Sequence, residues 1–324
     1  MIITRTPFRI SFFGGGTDIP AWFGHAGGQV LSTTIDKYCY VTLRKLPRFF
    51  EHSIRVAYSK IETACSPIEI QHPLIRVILQ DYGLNDVELH YDSDLPGNSG
   101  LGSSSSFGVG MIAAIHGLRG ELLTPRELAD KAIRFERDLL REPGGYQDQI
   151  AAAFGGINHI RVHLDGHWTV HPLLVGQERV QRLKESFLLC HIPLKRFSGH
   201  VSLAKDFVVA DHDSKLRFIH DSVDQAIEIL MKGDLNDFGR LMHETWLRKR
   251  QFDRVTNPTI NDVYETALGA GALGGKILGA GGGGFMLFFC PPERRDAVME
   301  ALKHLLMVPF ELEDEGVRVV YFRR

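Results

Sequence analysis

Short runs of alternating apolar and polar residues dominate the first sixty positions of the chain, a pattern typical of β-strands. Many of these apolar positions hold β-branched or aromatic residues, which favour strands because they pack well on a pleated surface. The pattern predicts five strands, at residues 2–4, 9–13, 29–34, 38–43 and 54–58. A short helix at 72–82 and a strand at 87–91 are predicted to follow.

Helical spacing of the apolar residues replaces the alternating pattern after residue 102. It predicts a helix that ends near Gly117. A second helix is predicted at 125–141, because Thr124 and Glu127 form a capping box around a proline at the first helical position. A third helix follows Gly144-Gly145, and a strand is predicted at 157–164.

The remaining part of the chain is predicted to contain further strands and five helices, of which the first four are consecutive. Strands are expected at 187–192, 285–290 and 317–322, and helices at 201–210, 214–231, 235–252, 258–270 and 293–306. Strands and helices mix without strict alternation, which favours an α+β fold over a doubly wound sheet. We place the N-terminal domain at 1–180 and the C-terminal domain at 181–324.

The composition is that of an ordinary globular protein, with 44% of the 324 residues hydrophobic and 23% charged. A formal net charge of −2 excludes the basic surface that nucleic-acid binding needs. The four cysteines form no Cys-x-x-Cys pair, which favours reduced thiols in a cytoplasmic protein. No signal peptide is expected, and the longest apolar stretch, at 277–292, is too short and glycine-rich to span a membrane.

A glycine- and serine-rich segment lies immediately before the helix predicted to start at 103. Such a segment leaves backbone N–H groups free at a helix N-terminus, where they and the helix dipole favour a phosphate. A flexible linker is the alternative, but a linker would not lead directly into an apolar helix. The segment matches neither the Walker nor the dinucleotide fingerprint. The predicted phosphate-binding residues are Pro96, Gly97, Asn98, Ser99, Gly100, Leu101, Gly102, Ser103, Ser104 and Ser105.

Two further glycine clusters lie near the ends of the chain. Gly14-Gly15-Gly16-Thr17 precedes Asp18, whose carboxylate suits bidentate recognition of sugar hydroxyls. The alternative is an aspartate that stabilises its own turn. Gly281–Gly284 precedes a predicted strand, and four consecutive glycines exceed what a tight turn needs.

Two acidic residues lie on the helices either side of Gly144-Gly145. Glu136 precedes this glycine pair and Asp148 follows it. If both side chains point into one cleft, one can face a metal ion and the other a substrate hydroxyl. Taken alone, either residue is better explained as a solvated surface acid.

Together these motifs resemble the GHMP kinase superfamily over essentially the whole chain, in the family's order. The resemblance implies a two-domain fold with the active site in the cleft between the domains. It implies binding of ATP on the Pro96–Ser105 segment and binding of Mg²⁺ by Ser104 and Glu136. Asp148 is then the catalytic aspartate and Arg9 the basic catalytic residue, while Asp18, Gly15, Gly16, Thr17, Gly281 and Gly282 bind the substrate.

The segment from Phe8 to Pro20 and the C-terminal glycine run look like the D-glycero-D-manno-heptose 7-phosphate kinase branch. This likeness implies phosphorylation of O1 of the heptose 7-phosphate, with ATP and the sugar phosphate as partners and no membrane. A phosphorylated substrate needs a second cationic site, and Arg196 is our candidate, with Arg44, Lys45 and Arg48 as the alternative cluster. Two other functions stay open, a kinase for an unphosphorylated sugar such as L-fucose or galactose, and a catalytically inactive sugar sensor. The protein is expected to be a monomer or a homodimer.

Overall fold

The computed structural model describes residues 1–97, 99–193 and 209–323. Two sheets contain all the strands within these ranges, and most pairs are antiparallel. The strands are β1 Ile2–Phe13, β2 Gly28–Lys45, β3 Ile54–Ala57, β4 Ile61–Ala64, β5 Val87–Ser93, β6 Asn158–Val162, β7 Trp168–Pro172, β8 Phe187–Ile192, β9 Gly274–Ile277, β10 Gly284–Phe289, β11 Leu306–Met307, β12 Leu312–Glu313 and β13 Arg318–Phe322.

Ten α-helices are described in the same ranges. They are α1 Pro20–Ala26, α2 Pro73–Asp81, α3 Ser103–Leu118, α4 Pro125–Ile133, α5 Gln147–Phe154, α6 Gln177–Ser186, α7 Val209–Lys232, α8 Leu235–Lys249, α9 Pro258–Ala270 and α10 Arg295–Ala301. The mixture of two sheets with segregated helices confirms the α+β prediction. The helix predicted at 201–210 lies almost entirely outside the described residues.

The first sheet has nine strands, with β1 and β2 at its centre in the order β13-β1-β2-β5-β3-β4. Strands β1 and β2 are each longer than predicted. They replace the four short strands predicted at 2–4, 9–13, 29–34 and 38–43, because the breaks between these are bulges rather than turns. The register of β1 against β2 shifts between Pro7 and Phe8. Pro7 pairs with Tyr38 and Phe8 pairs with Ile35, so two residues of β2, at 36 and 37, have no partner on β1. A bulge accommodates Pro7, which has no N–H to donate, without ending the strand.

Helix α3 lies across the inner face of this sheet and packs against β1 and β2. Its apolar side chains, among them Phe107, Met111 and Ile115, are buried almost all round the helix, as expected for a helix covered on every side. The N-terminus of α3 therefore has a fixed position relative to β1. This arrangement places the glycine- and serine-rich segment beside the strand that contains Arg9.

The helix predicted at 125–141 changes its geometry half-way. Helix α4 keeps the predicted capping box at Thr124 and Glu127, but residues Arg134–Leu139 form a π-helical turn. A π turn inserts one extra residue and so rotates the side chains that follow it. Glu136 lies within this turn and is 2% exposed.

The second sheet is small, with strand order β11-β8-β10-β9, and α8 packs against β9 and β10. A core of Trp246, Tyr264, Phe288 and their neighbours joins this sheet to α8 and α9. The chain then returns to the first sheet, where β12 pairs with β2 and β13 pairs with β1. The predicted domain division at residue 180 thus leaves these last two strands in the sheet of the N-terminal part.

Candidate active site

The predicted phosphate-binding segment forms a loop that ends in the N-terminus of α3. Gly100 and Gly102 have φ angles of 81° and 76°, in the left-handed region that glycine enters without strain. Gly102 is the residue that caps α3, so the first N–H groups of the helix have no intrahelical partner. Pro96, Gly97 and Ser104 are exposed, whereas Ser99, Leu101, Ser103 and Ser105 are buried. Asn98 lies outside the described residues.

The C-terminal glycine segment lies directly against this loop. A Cβ atom on Gly100 would overlap the carbonyl oxygen of Leu278. Phe285 N–H donates to the Ser99 carbonyl at 3.3 Å, and Gly284 leaves no space for a side chain beside that carbonyl. The backbones of the two segments therefore meet at a distance that glycine alone permits.

The third part of the site is an ion pair between Arg9 on β1 and Asp148 on α5. Arg9 donates from Nε and Nη2 to the two carboxylate oxygens of Asp148, at 2.7 and 3.0 Å, and from Nη1 to the Gly100 carbonyl at 2.6 Å. Arg9 is 5% exposed and Asp148 is 25% exposed. A Cβ atom on Gly102 would lie 3.5 Å from Asp148 Oδ2. The structure thus brings Arg9, Asp148 and the glycine loop together in one place.

Asp18 connects the first glycine cluster to the N-terminus of α5. Its Oδ2 accepts from Gln147 N–H at 3.0 Å, and its Oδ1 accepts from Gly16 N–H and Gln147 Nε2, both at 3.1 Å. Burial raises the pKa of the Asp18 carboxyl, and these hydrogen bonds oppose the rise. Gly145 lies against the carboxylate with no space for a side chain. Asp18 is therefore 1% exposed and held by three donors.

The turn before Asp18 contains Gly15, Gly16 and Thr17, which differ in their contacts. The Thr17 hydroxyl bonds the carbonyls of Gly14 and Gln29, and its N–H donates to Gly14. Every donor of Thr17 is thus engaged within the protein, and we infer that it holds the turn that positions Asp18. An added Cβ would have room at Gly16, where the nearest atom is 4.0 Å away, but at Gly15 it would lie only 3.0 Å from Ser11 Oγ.

Gly281 and Gly282 lie beside Val255 and Asn257, in the segment that precedes α9. Gly282 N–H donates to the Val255 carbonyl at 3.0 Å, and Asn257 Nδ2 donates to the Gly282 carbonyl at 3.1 Å. A Cβ atom on Gly281 would lie 2.6 Å from the Val255 backbone. Their contact with a substrate stays a prediction.

Glu136 has the features of a cation ligand. Its Oε2 accepts from Ser105 Oγ at 3.0 Å and from Gln149 Nε2 at 2.9 Å, whereas its buried Oε1 has no hydrogen-bond partner. Burial raises the pKa of the Glu136 carboxyl to about 7. Ser104, the other predicted ligand, is exposed at the start of α3, and Ser105 is the serine that contacts Glu136. An unpaired carboxylate oxygen near a serine hydroxyl fits Mg²⁺, which takes few protein ligands.

Two buried lysines of the site escaped the sequence analysis. Lys276 on β9 donates to the carbonyls of Ser11 and Phe12 at 2.7 and 3.1 Å, and so ties the second sheet to β1. Lys249, the last residue of α8, is 6% exposed and lies beside Gly15. Lys276 lies five residues before the glycine cluster Gly281–Gly284, but no local signal distinguishes Lys249 from a lysine at an exposed helix end.

No contact within the described residues places the basic side chains that were predicted to bind a substrate phosphate in the cleft. Arg196 lies outside those residues. In the alternative cluster, Arg44 pairs with Glu88, and Arg48 pairs with Asp86 at 2.6 Å. These two arginines already have carboxylate partners on the outer part of the first sheet.

The structure thus groups a glycine loop at a helix N-terminus, an adjacent arginine–aspartate pair and a buried acid with one free oxygen, which are features that phosphoryl transfer can use. Two family models match the chain, "GHMP kinases N terminal domain" at residues 70–156 and "GHMP kinases C terminal" at residues 226–306. The chain belongs to the GHMP kinases and is an ATP-dependent kinase. Within the described ranges, no helix is long and apolar enough to cross a membrane.

Individual relatives agree with this family. The chain is 30% identical to the D-glycero-alpha-D-manno-heptose 7-phosphate kinase of Campylobacter jejuni, over 98% of each chain. It is 23% identical, over 87% of its length, to the L-fucokinase/L-fucose-1-P guanylyltransferase of Bacteroides fragilis, of which the match covers 34%. The crystal structure of a D-glycero-D-manno-heptose 1-phosphate kinase from Bacteroides thetaiotaomicron has a TM-score of 0.82 at 26% identity, and the match covers 100% of each chain.

Proposed function

We propose that this kinase transfers the γ-phosphoryl group of ATP to O1 of D-glycero-D-manno-heptose 7-phosphate and forms the 1,7-bisphosphate. The 30% identity to a heptose 7-phosphate kinase over nearly the full length supports a sugar phosphate as the acceptor. The observation that carries the proposal is the Arg9–Asp148 pair, whose carboxylate lies next to Gly102 of the phosphate loop. An acceptor hydroxyl that reaches Asp148 would therefore be close to a phosphate bound at the start of α3.

The chain's own residues supply positioning and charge, which phosphoryl transfer requires more than covalent chemistry. The backbone N–H groups at the start of α3 would hold the ATP phosphates. Asp148 would accept the proton of the acceptor hydroxyl or orient that hydroxyl, and Arg9 would keep the Asp148 carboxylate in one orientation through its two hydrogen bonds. Asp18 would accept hydrogen bonds from other sugar hydroxyls.

Ser104 and Glu136 are the residues that would hold Mg²⁺, with Ser105 beside them. When bound, this cation would neutralise part of the charge on the ATP phosphates. The free Oε1 of Glu136 supports this assignment. Within the described residues no group of three or more histidine, cysteine or acidic side chains could hold a metal.

The position of the substrate's own phosphate is the point on which the relatives' names differ. The Campylobacter jejuni relative is named for the 7-phosphate, and the Bacteroides thetaiotaomicron structure for a heptose 1-phosphate. We favour the 7-phosphate, because the anomeric hydroxyl is more acidic than an ordinary alcohol and suits a carboxylate acceptor such as Asp148. The inactive-sensor alternative is disfavoured by the intact Arg9–Asp148 pair.

A substrate panel tests this proposal directly. Purified protein is assayed for ADP release with heptose 7-phosphate, heptose 1-phosphate, L-fucose, galactose and, as the matched control, the same heptose without phosphate. We expect kcat/KM for the 7-phosphate to exceed that for the unphosphorylated heptose about 10- to 150-fold, since a hydrogen bond to a charged group contributes about 1.5–3 kcal/mol. Phosphorus NMR should show a new phosphate on the anomeric carbon. Faster turnover of a free sugar, or of the 1-phosphate, would overturn the proposal.

A further inference from the structure

A buried lysine faces the cleft from the C-terminal part of the chain. Lys249 ends α8 and is 6% exposed. Within the described part of the chain, its ammonium group has neither a hydrogen bond nor an ion pair. Burial of a charge without a partner is energetically costly, so folded proteins seldom bury a lysine that is not paired.

Three polar side chains from different elements converge on Gly15. A Cβ atom at Gly15 would lie 3.0 Å from Ser11 Oγ, 3.5 Å from Gln147 Nε2 and 3.7 Å from Lys249 Nζ. Two buried atoms of this group, Ser11 Oγ and Gln147 Oε1, have no hydrogen-bond partner. A donor, an acceptor and a cation thus lie together beside Gly15, which contributes no side chain of its own. Such a set is suited to a ligand oxygen that becomes negatively charged.

The charged groups that the structure describes around Lys249 leave its ammonium group without a partner. Arg9 on β1 is a buried cation, and burial lowers the pKa of Lys276 on β9 well below its ordinary value, while Asp18 after β1 and Asp148 on α5 are the carboxylates that face the same region. Asp148 is engaged by Arg9 and Asp18 by three donors. Burial and the charge of Arg9 lower the pKa of Lys249 to about 8, which the two carboxylates oppose.

We propose that Lys249 is a catalytic residue whose ammonium group contacts the reacting oxygen of the acceptor. In this step the acceptor O–H proton moves to Asp148 and the oxygen forms a bond to the γ-phosphorus. The bond from that phosphorus to the bridging oxygen breaks, and ADP leaves with the electron pair. Lys249 stabilises the negative charge on the attacking oxygen and keeps its own proton. The inference rests on phosphoryl transfer in this cleft and not on the identity of the sugar.

Lys249→Met tests the role, because methionine has a similar length and no charge. We expect kcat to fall about 10²- to 10³-fold, as for loss of one preorganised donor to a developing oxyanion, with KM for ATP changed less than about twofold. The unliganded variant should melt at least about 2 °C higher than the wild type, since an unpaired buried charge has been removed. A variant that melts lower and loses activity only through loss of folded protein would show a structural role and overturn the proposal.

A charge-conserving variant and a matched control complete the test. For the wild type, kcat/KM should decrease as pH rises through about 8, because Lys249 loses its proton. Lys249→Arg should recover part of the lost kcat and move this decrease to higher pH, since arginine stays protonated. Lys232, the exposed last residue of α7, provides the control, and Lys232→Met should change neither kinetics nor melting.

The acceptor used in these assays is whichever sugar the substrate panel identifies. If the panel selects a sugar other than heptose 7-phosphate, the proposed function fails while the Lys249 experiment proceeds with that sugar. If heptose 7-phosphate is the substrate and Lys249→Met retains wild-type kcat, the proposal for Lys249 alone fails. An unchanged alkaline decrease in Lys249→Arg would also contradict it.

Discussion

At the scale of single residues, the carboxylates of this site differ in their partners rather than in their chemistry. Asp148 is paired with an arginine, Asp18 is bonded by backbone and amide donors, and Glu136 keeps one oxygen free. Glu136 and Asp18 are buried, and burial raises the pKa of both. Environment therefore distinguishes the three side chains, to which we assign the roles of proton acceptor, sugar ligand and cation ligand.

Replacement of Asp148 by asparagine tests its role at this scale. The amide keeps the shape of the side chain but loses its charge and basicity, so we expect kcat to fall about 10²- to 10⁴-fold. Nucleotide affinity, measured by calorimetry, should change little, because the phosphates bind at the start of α3. Asp92→Asn, at an exposed position on β5, is the control. If Asp148→Asn kept more than about a tenth of kcat, charge stabilisation by other groups would be the main contribution.

At the scale of elements, the site depends on glycine segments packed against each other. The loop before α3 and the segment between β9 and β10 approach closely at Gly100 and Gly279, both with positive φ angles. Side chains at these positions would separate the two segments. The glycine enrichment of the sequence is thus explained by contacts between backbones as much as by contacts with a ligand.

Gly100→Ala should disrupt this contact. The added methyl group would overlap the Leu278 carbonyl, and the φ angle of 81° is unfavourable for alanine, which together cost about 1–3 kcal/mol. We expect a lower urea midpoint and at least tenfold weaker ATP binding by calorimetry. Gly269→Ala is the control, because nothing lies within 4 Å of that position in α9, and it should raise stability by up to about 1 kcal/mol. Unchanged ATP binding in Gly100→Ala would argue against the loop as the phosphate site.

At the scale of the whole molecule, the chain crosses between the two sheets and finishes in the first one. Strand β13 pairs with residues 2–5 of β1, the strand that also contains Arg9. The N- and C-terminal segments therefore stabilise each other, and Met1 and Arg323 exchange two hydrogen bonds.

Deletion of residues 318–324 should lower stability, because it leaves the edge of β1 without its partner. At about 1 kcal/mol per lost hydrogen bond, the loss is expected to be about 2–4 kcal/mol, measured by urea unfolding. Replacement of Val319 and Val320 by lysine keeps the backbone pairing and removes exposed apolar surface, so this double variant should unfold at a midpoint close to that of the wild type. Equal destabilisation of both variants would show that the side chains of β13, not its pairing, provide the stability.

Prediction from sequence succeeded where the signal is local. Strand β8 and helix α9 have the predicted bounds, since β8 is a continuous run of mostly apolar residues and α9 lies between an N-cap, Asn257, and a glycine, Gly271. Prediction was less accurate where a tertiary contact overrides a local signal. The bulge at Pro7 joins the strands predicted separately at 2–4 and 9–13, and a π turn changes the helix that contains Glu136.

The sequence by itself determined the kind of chemistry, because a glycine loop followed by hydroxyl residues and an apolar helix predicts phosphate binding from neighbouring residues alone. It could not determine which distant groups would meet that loop. Arg9 and Asp148 are 139 positions apart, and Lys249 reaches Gly15 from the other end of the chain. These contacts between distant residues, and the burial that alters the pKa values of Glu136 and Lys249, depend on how the two sheets pack. Tertiary structure alone decided them.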